Sequence, residues 1–152
     1  MAYDIGEHIH NFAVWTASRA VQRGWKGAKT KNIKLAIESS GIRSDIKKTG
    51  QNNISSEKFD SFHEKWSKKI IDFLTKEQVQ TSYGRVAKII AIYIKTAVVI
   101  KDNGERPLSK VAHPPIDNTL LENLNKVQAY QDLKIPKSGW DKNRKRRISK
   151  TY

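Results

Sequence analysis

The stretch from Arg85 to Ile100 sets the terms for what this chain can fold into, because charge interrupts it only at Arg85, Lys88 and Lys95. A helix that is apolar nearly all round is the covered central element of a bundle. The run is rich in β-branched residues, but it exceeds the 4–8 residues or so common for strands. It also falls short of the roughly 20 residues needed to cross a bilayer, so no membrane partner is expected. None of the 152 residues is cysteine, which excludes disulfide scaffolds, cysteine nucleophiles and thiolate-held metal centres. Helix packing therefore has to supply the core of a single compact domain.

The flanking sequence repeats the helical signal. Ile5, Ile9, Phe12, Ala13, Thr16 and Ala20 recur at three- and four-residue steps, predicting a helix over residues 4–22 with those side chains inward and Gly24 just past its end. His8, Trp15, Arg19 and Gln22 form a second stripe beside the first. Thr30 is placed to cap a helix that buries Ile33, Ala36 and Ile37 and stops at Gly41. Residues 42–55, rich in Ser, Gly, Asn and Lys, read as a loop. Ser56 then opens a helix with Phe59, Phe62, Trp66, Ile70, Phe73 and Leu74 on one face. Thr75 to Gln78 has the capping-box pattern and predicts a short helix ending near Tyr83-Gly84. Residues 102–107 read as a turn, and Pro114-Pro115 forces an extended approach to a last helix over residues 117–127. The expected architecture is all-α, with about six helices in residues 1–133 and a basic tail over residues 134–152.

Charge points to the class of partner. The chain carries 29 Lys and Arg against 15 Asp and Glu, a net charge of +14. Half of that excess lies in the tail, whose eight basic residues (Lys134, Lys137, Lys142, Arg144, Lys145, Arg146, Arg147 and Lys150) face a single acid, Asp141. Such a cluster releases condensed counterions from a polyanion, giving salt-sensitive, sequence-independent affinity. A solvated tail is the plain alternative, and an anionic lipid surface is disfavoured because no apolar face accompanies the charges. The polar, acid-containing amino terminus does not read as a secretory signal, so a cytoplasmic location is expected.

Gly24 to Thr30 superficially resembles a phosphate loop but has Ala28 before Lys29 where the pattern demands glycine. It reads as a basic inter-helix turn. His8 and His10 sit two apart on a helix and point in different directions, and His63 and His113 obey no ligand spacing. No metal site and no cofactor is expected.

The order short helix, Tyr83-Gly84-Arg85 turn, apolar helix bearing Lys88, loop, then His113-Pro-Pro-Ile-Asp117 resembles the catalytic half of the helix-hairpin-helix base-excision DNA glycosylases. The resemblance covers residues 83–124, with Ser82 standing where the family carries the first glycine of its Gly-x-Gly hairpin. It implies that amides around Gly84 hold a DNA phosphate and that Asp117 assists removal of an extruded base. Lys88 would match the Schiff-base nucleophile of some members approximately. Residues 7–15 and 19–24 also resemble a group of short bacterial proteins without assigned activity.

On chemical grounds, base excision needs aromatic walls and a carboxylate near the sugar. Trp25 and Trp140, in loops beside Lys26 and Lys142, are the stacking candidates, whereas Trp15 and Trp66 at helical spacing read as core. Asp117 also suits a plain helix N-cap, and Lys88 and Lys95 suit the solvent stripe of a core helix. The leading expectation is a protein that binds double-stranded DNA through Tyr83, Gly84, Arg85, Lys95, Trp25, Lys26, Trp140, Lys142, Arg144, Lys145, Arg146 and Arg147, with Asp117 and Lys88 as catalytic candidates. The alternatives are a non-catalytic nucleic-acid-binding or regulatory module, and a helical protein whose cations meet acidic protein partners.

Overall fold

The structure, a computed structural model, describes residues 4–116 and 118–127 and is all-α. The helices are α1 (Ile5–Val21), α2 (Thr30–Ser40), α3 (Ile42–Thr49), α4 (Ser56–Lys76), α5 (Tyr83–Ile94), α6 (Pro107–Val111) and α7 (Asn118–Lys126). A π-helical turn, Lys95–Ile100, prolongs α5. The chain divides into two units between Pro114 and Pro115. The boundary expected at residue 133 lies outside the described residues.

In the first unit α5 packs against α1 and α4, and α2 closes the bundle against α1 and α4. The core holds Ile33, Ile37, Phe59, Trp66, Ile70, Leu74, Ile89, Ile90, Tyr93 and Ile94. The apolar run is thus mostly covered, as its composition requires, and the predicted inward face of α4 holds, with Phe62 and Phe73 partly buried.

α1 turns a different face inward from the one its large residues suggest. Asp4 caps it through Oδ1, which accepts from the amides of Gly6 at 2.8 Å and Glu7 at 3.1 Å. It buries His10, Ala13, Val14, Ala17, Ser18 and Val21, while Ile5, Phe12 and Trp15 are 61%, 51% and 52% exposed. Small side chains let α1 approach its neighbours closely, and the two polar groups on that face are satisfied. Ser18 Oγ donates to the Val14 carbonyl at 2.8 Å, and His10 Nδ1 meets the Tyr93 hydroxyl at 2.8 Å. Trp15, expected in the core, is therefore a surface residue.

Residues 42–49, expected in a loop, form α3. Gly41, at φ +80°, permits an immediate change of direction after α2, and Ile42 and Ile46, one turn apart, are buried. Asp45 fastens α3 to α4, since its Oδ2 accepts from Trp66 Nε1 at 2.9 Å and Lys65 Nζ at 2.7 Å. Two anchored isoleucines outweigh a polar composition. Thr30 is likewise the first residue of α2 rather than its cap. Lys29 holds the cap position with no side-chain bond, and Thr30 Oγ1 accepts from Gln22 Nε2 at 3.0 Å.

The capping box does not start a helix either, because Thr75 lies inside the last turn of α4. The Val79 amide donates to the Leu74 carbonyl at 2.8 Å and the Gln78 amide to the Thr75 carbonyl at 3.0 Å. With Gln78 at φ +57° and both Val79 and Leu74 buried, this is a Schellman ending built without glycine.

The inward and outward faces can be told apart by stability. Ile42→Ala is expected to cost about 2–5 kcal/mol in denaturant unfolding, whereas Phe12→Ala and Trp15→Ala should stay within about 0.5 kcal/mol.

Candidate nucleic-acid interface

Trp25 organises the end of the bundle where α5 begins. The loop at residues 22–29 leaves α1 through a hydrogen bond from the Trp25 amide to the Gln22 carbonyl, 3.0 Å. The indole is 5% exposed, and its Nε1 donates to the Gln80 carbonyl at 2.7 Å. Two residues on, Gly27 adopts φ +82°, and a Cβ there would stand 3.8 Å from Val79 Cγ2. The loop therefore lies against the α4–α5 turn. The guanidinium of Arg85 sits over the Trp25 ring, 5.1 Å from its centroid. Trp25 is thus not an open stacking surface for a base, as its loop context suggested. It is a buried pin that carries Arg85 on its face and holds exposed Lys26 at the same end of the molecule.

Tyr83, Gly84 and Arg85 form the first turn of α5, where a glycine turn between two helices was expected. The helix preceding them is the long α4, and the intervening residues 77–82 hold the left-handed Gln78. Gly84 is buried in a helical conformation, so it supplies no tight turn. Ser82 has extended backbone and makes no side-chain cap bond to α5. The leading amides of a helix lack intrahelical partners and carry the positive end of its dipole, an arrangement suited to an anion. Arg85 adds a full charge there. Lys88 is half-buried and Lys95 exposed, each further along the solvent side of the same run.

Behind Tyr83 lies a cluster that spacing along the chain did not reveal. The Tyr83 hydroxyl is 3.2 Å from Nδ1 of buried His63, whose ring is 5.1 Å from that of His113. His113 Nε2 in turn meets Asp60 Oδ1 at 3.0 Å. Burial pushes Tyr83 above the usual phenol value. Burial, reinforced by the charge of His113, pushes His63 down to about 4, and the ring is neutral at pH 7. The histidines come from α4 and from the segment before the double proline, fifty residues apart, so no local motif could announce them. Among the described residues no group of three His, Asp or Glu side chains is arranged to hold a metal ion.

This cluster predicts acid sensitivity. Above pH 6.5 His63 is neutral folded and unfolded, and its contribution is fully present. As pH falls from 6.5 towards 4, the unfolded chain takes up a proton that the folded one refuses, and stability is lost. A displacement from 6.5 to about 4 is worth about 3 kcal/mol. Buried His10, also lowered, acts in the same direction. Denaturant unfolding at pH 7 and pH 4.5 should show the decline.

Asp117, Trp140, Lys142, Arg144, Lys145, Arg146 and Arg147 lie outside the described residues. The structure brings Trp25 against Arg85 in the first turn of α5, which also holds Tyr83 and Gly84, and Lys26 follows Trp25 in the chain. Comparisons with protein-family models, with curated proteins and with solved structures find no match for this chain.

Proposed function

We propose that this protein binds nucleic acid, double-stranded DNA in the first instance, through phosphates taken at the start of α5. The observation that carries the reading is the seating of Trp25 against the residue 77–82 turn, which holds the Arg85 guanidinium on its ring beside a helix N-terminus without a side-chain cap, with exposed Lys26 next to Trp25 in the chain. Free helix N-terminal amides with a guanidinium in the same first turn are a combination suited to phosphate. The net charge of +14 supplies the long-range attraction. Lys88 on α5 and Lys95 at the start of its π-helical continuation extend the contact. Phosphate contacts fix register without reading sequence, so binding to mixed-sequence duplexes is expected.

The test is duplex binding by fluorescence anisotropy across a salt series. Log affinity should fall linearly with log salt, with a slope of about −0.9 per phosphate neutralised. The double variant Arg85→Glu, Lys88→Glu should make that slope shallower by about two contacts and weaken binding at every salt concentration. A variant with the wild-type slope would remove α5 from the interface.

A further inference from the structure

The outer face of α1 plays no part in the α5 site. Opposite the buried residues of α1, the spacing of Ile5, Phe12, Trp15 and Arg19 puts them on one arc of the helix. The rings of Phe12 and Trp15 stack on each other, centroids 5.9 Å apart and planes 17° from parallel, with each side chain more than half exposed. Arg19, one turn beyond Trp15, and Arg23, just past the helix end, are exposed as well. Glu7, the one acid within α1, is engaged by Arg43 of α3 at 2.8 Å, and Asp4 at the start of the helix accepts from the Gly6 and Glu7 amides. Large aromatic rings kept together in water and followed by two guanidinium groups match a polyanion whose units have π faces.

We propose that Phe12 and Trp15 form a stacking platform for unpaired bases of single-stranded nucleic acid, with Arg19 and Arg23 meeting its phosphates. This rests on the nucleic-acid reading above but uses a different element of the fold. Paired bases in a duplex keep their faces covered by their neighbours, so the platform selects single strands, whereas α5 takes phosphates of either form.

Binding of fluorescein-labelled oligothymidylate and of a random-sequence duplex tests it, using wild type, Phe12→Ala with Trp15→Ala, Trp15→Phe, and the Arg85→Glu, Lys88→Glu variant. The double alanine variant should lose about tenfold to a hundredfold in affinity for the single strand and keep its duplex affinity. Trp15→Phe should retain most of the single-strand affinity. Oligothymidylate should quench a component of tryptophan emission that is present in wild type and missing from Trp15→Phe. A double alanine variant that binds the single strand as wild type does overturns the proposal. So does quenching of that component by phosphatidylserine vesicles and not by oligothymidylate, which would make the face a membrane contact. Wild type that binds duplex alone overturns the platform and leaves the α5 site standing. Wild type that binds single strand alone, with loss on double alanine substitution, overturns the α5 reading and keeps the platform. Binding to neither overturns both.

Discussion

Trp25→Ala is expected to lower stability by about 3–5 kcal/mol and, in the protein that remains folded, to weaken duplex binding as well. The two effects share one origin. The indole fills the space between the residue 22–29 loop and the residue 77–82 turn, and its Nε1 satisfies the Gln80 carbonyl. Removing it leaves a cavity and an unpaired carbonyl, frees the loop that bears Lys26, and strips Arg85 of the ring beneath its guanidinium. Trp25→Phe separates the contributions. It keeps most of the apolar contact and a face for Arg85 but loses the hydrogen bond, so its cost beyond the volume difference should be about 1 kcal/mol. Denaturant midpoints and anisotropy on the same preparations provide the check. A Trp25→Ala protein less stable by the expected amount but unchanged in duplex affinity would leave Trp25 a core residue only.

Deleting residues 134–152 is expected to have the largest effect on binding. The segment removes eight cations and one acid, half of the net charge of +14. If about five of those cations meet phosphates, the salt slope becomes shallower by about 4.5 and affinity at low salt falls by about a thousandfold. The deletion and the Arg85→Glu, Lys88→Glu variant act at different places, so their effects on slope should add. A deletion that leaves the slope unchanged would mean the terminal charges serve solubility alone.

The fold was legible where periodicity and core geometry agreed. The apolar run centred on Ile89 to Ile94 announced a covered helix, and the stripe from Phe59 to Leu74 announced α4 and its inward face. Sequence misled where tertiary contact overrode local chemistry. α3 is polar in composition, but Ile42, Ile46 and the Asp45 carboxylate each find a partner in the packed bundle. Gln78 takes a left-handed position usually given to glycine, which disguised the end of α4 as the start of another helix. On α1 the assumption that large apolar residues face inward fails, because close packing against α5 favours Ala13, Ala17 and Ser18.

The candidate site was half legible. The sequence singled out the Tyr83 to Arg85 segment and the loop with Trp25 and Lys26 separately, and the structure puts Trp25 of that loop under Arg85. The role of Trp25 was not, because whether a loop tryptophan opens to solvent depends on a carbonyl fifty-five residues away. His63 and His113 were invisible as a pair for the same reason. Lys88 is a residue whose neighbourhood, rather than its type, sets its role.

The most direct measurement is amide chemical-shift mapping of 15N-labelled protein during titration with a mixed-sequence DNA duplex. The largest shifts are expected at the amides of Tyr83, Gly84 and Arg85, with a second group at Lys26 and its loop neighbours. If those amides stay in place at saturation while the exposed lysines of α3, Lys47 and Lys48, carry the shifts, the phosphate site is not at the start of α5.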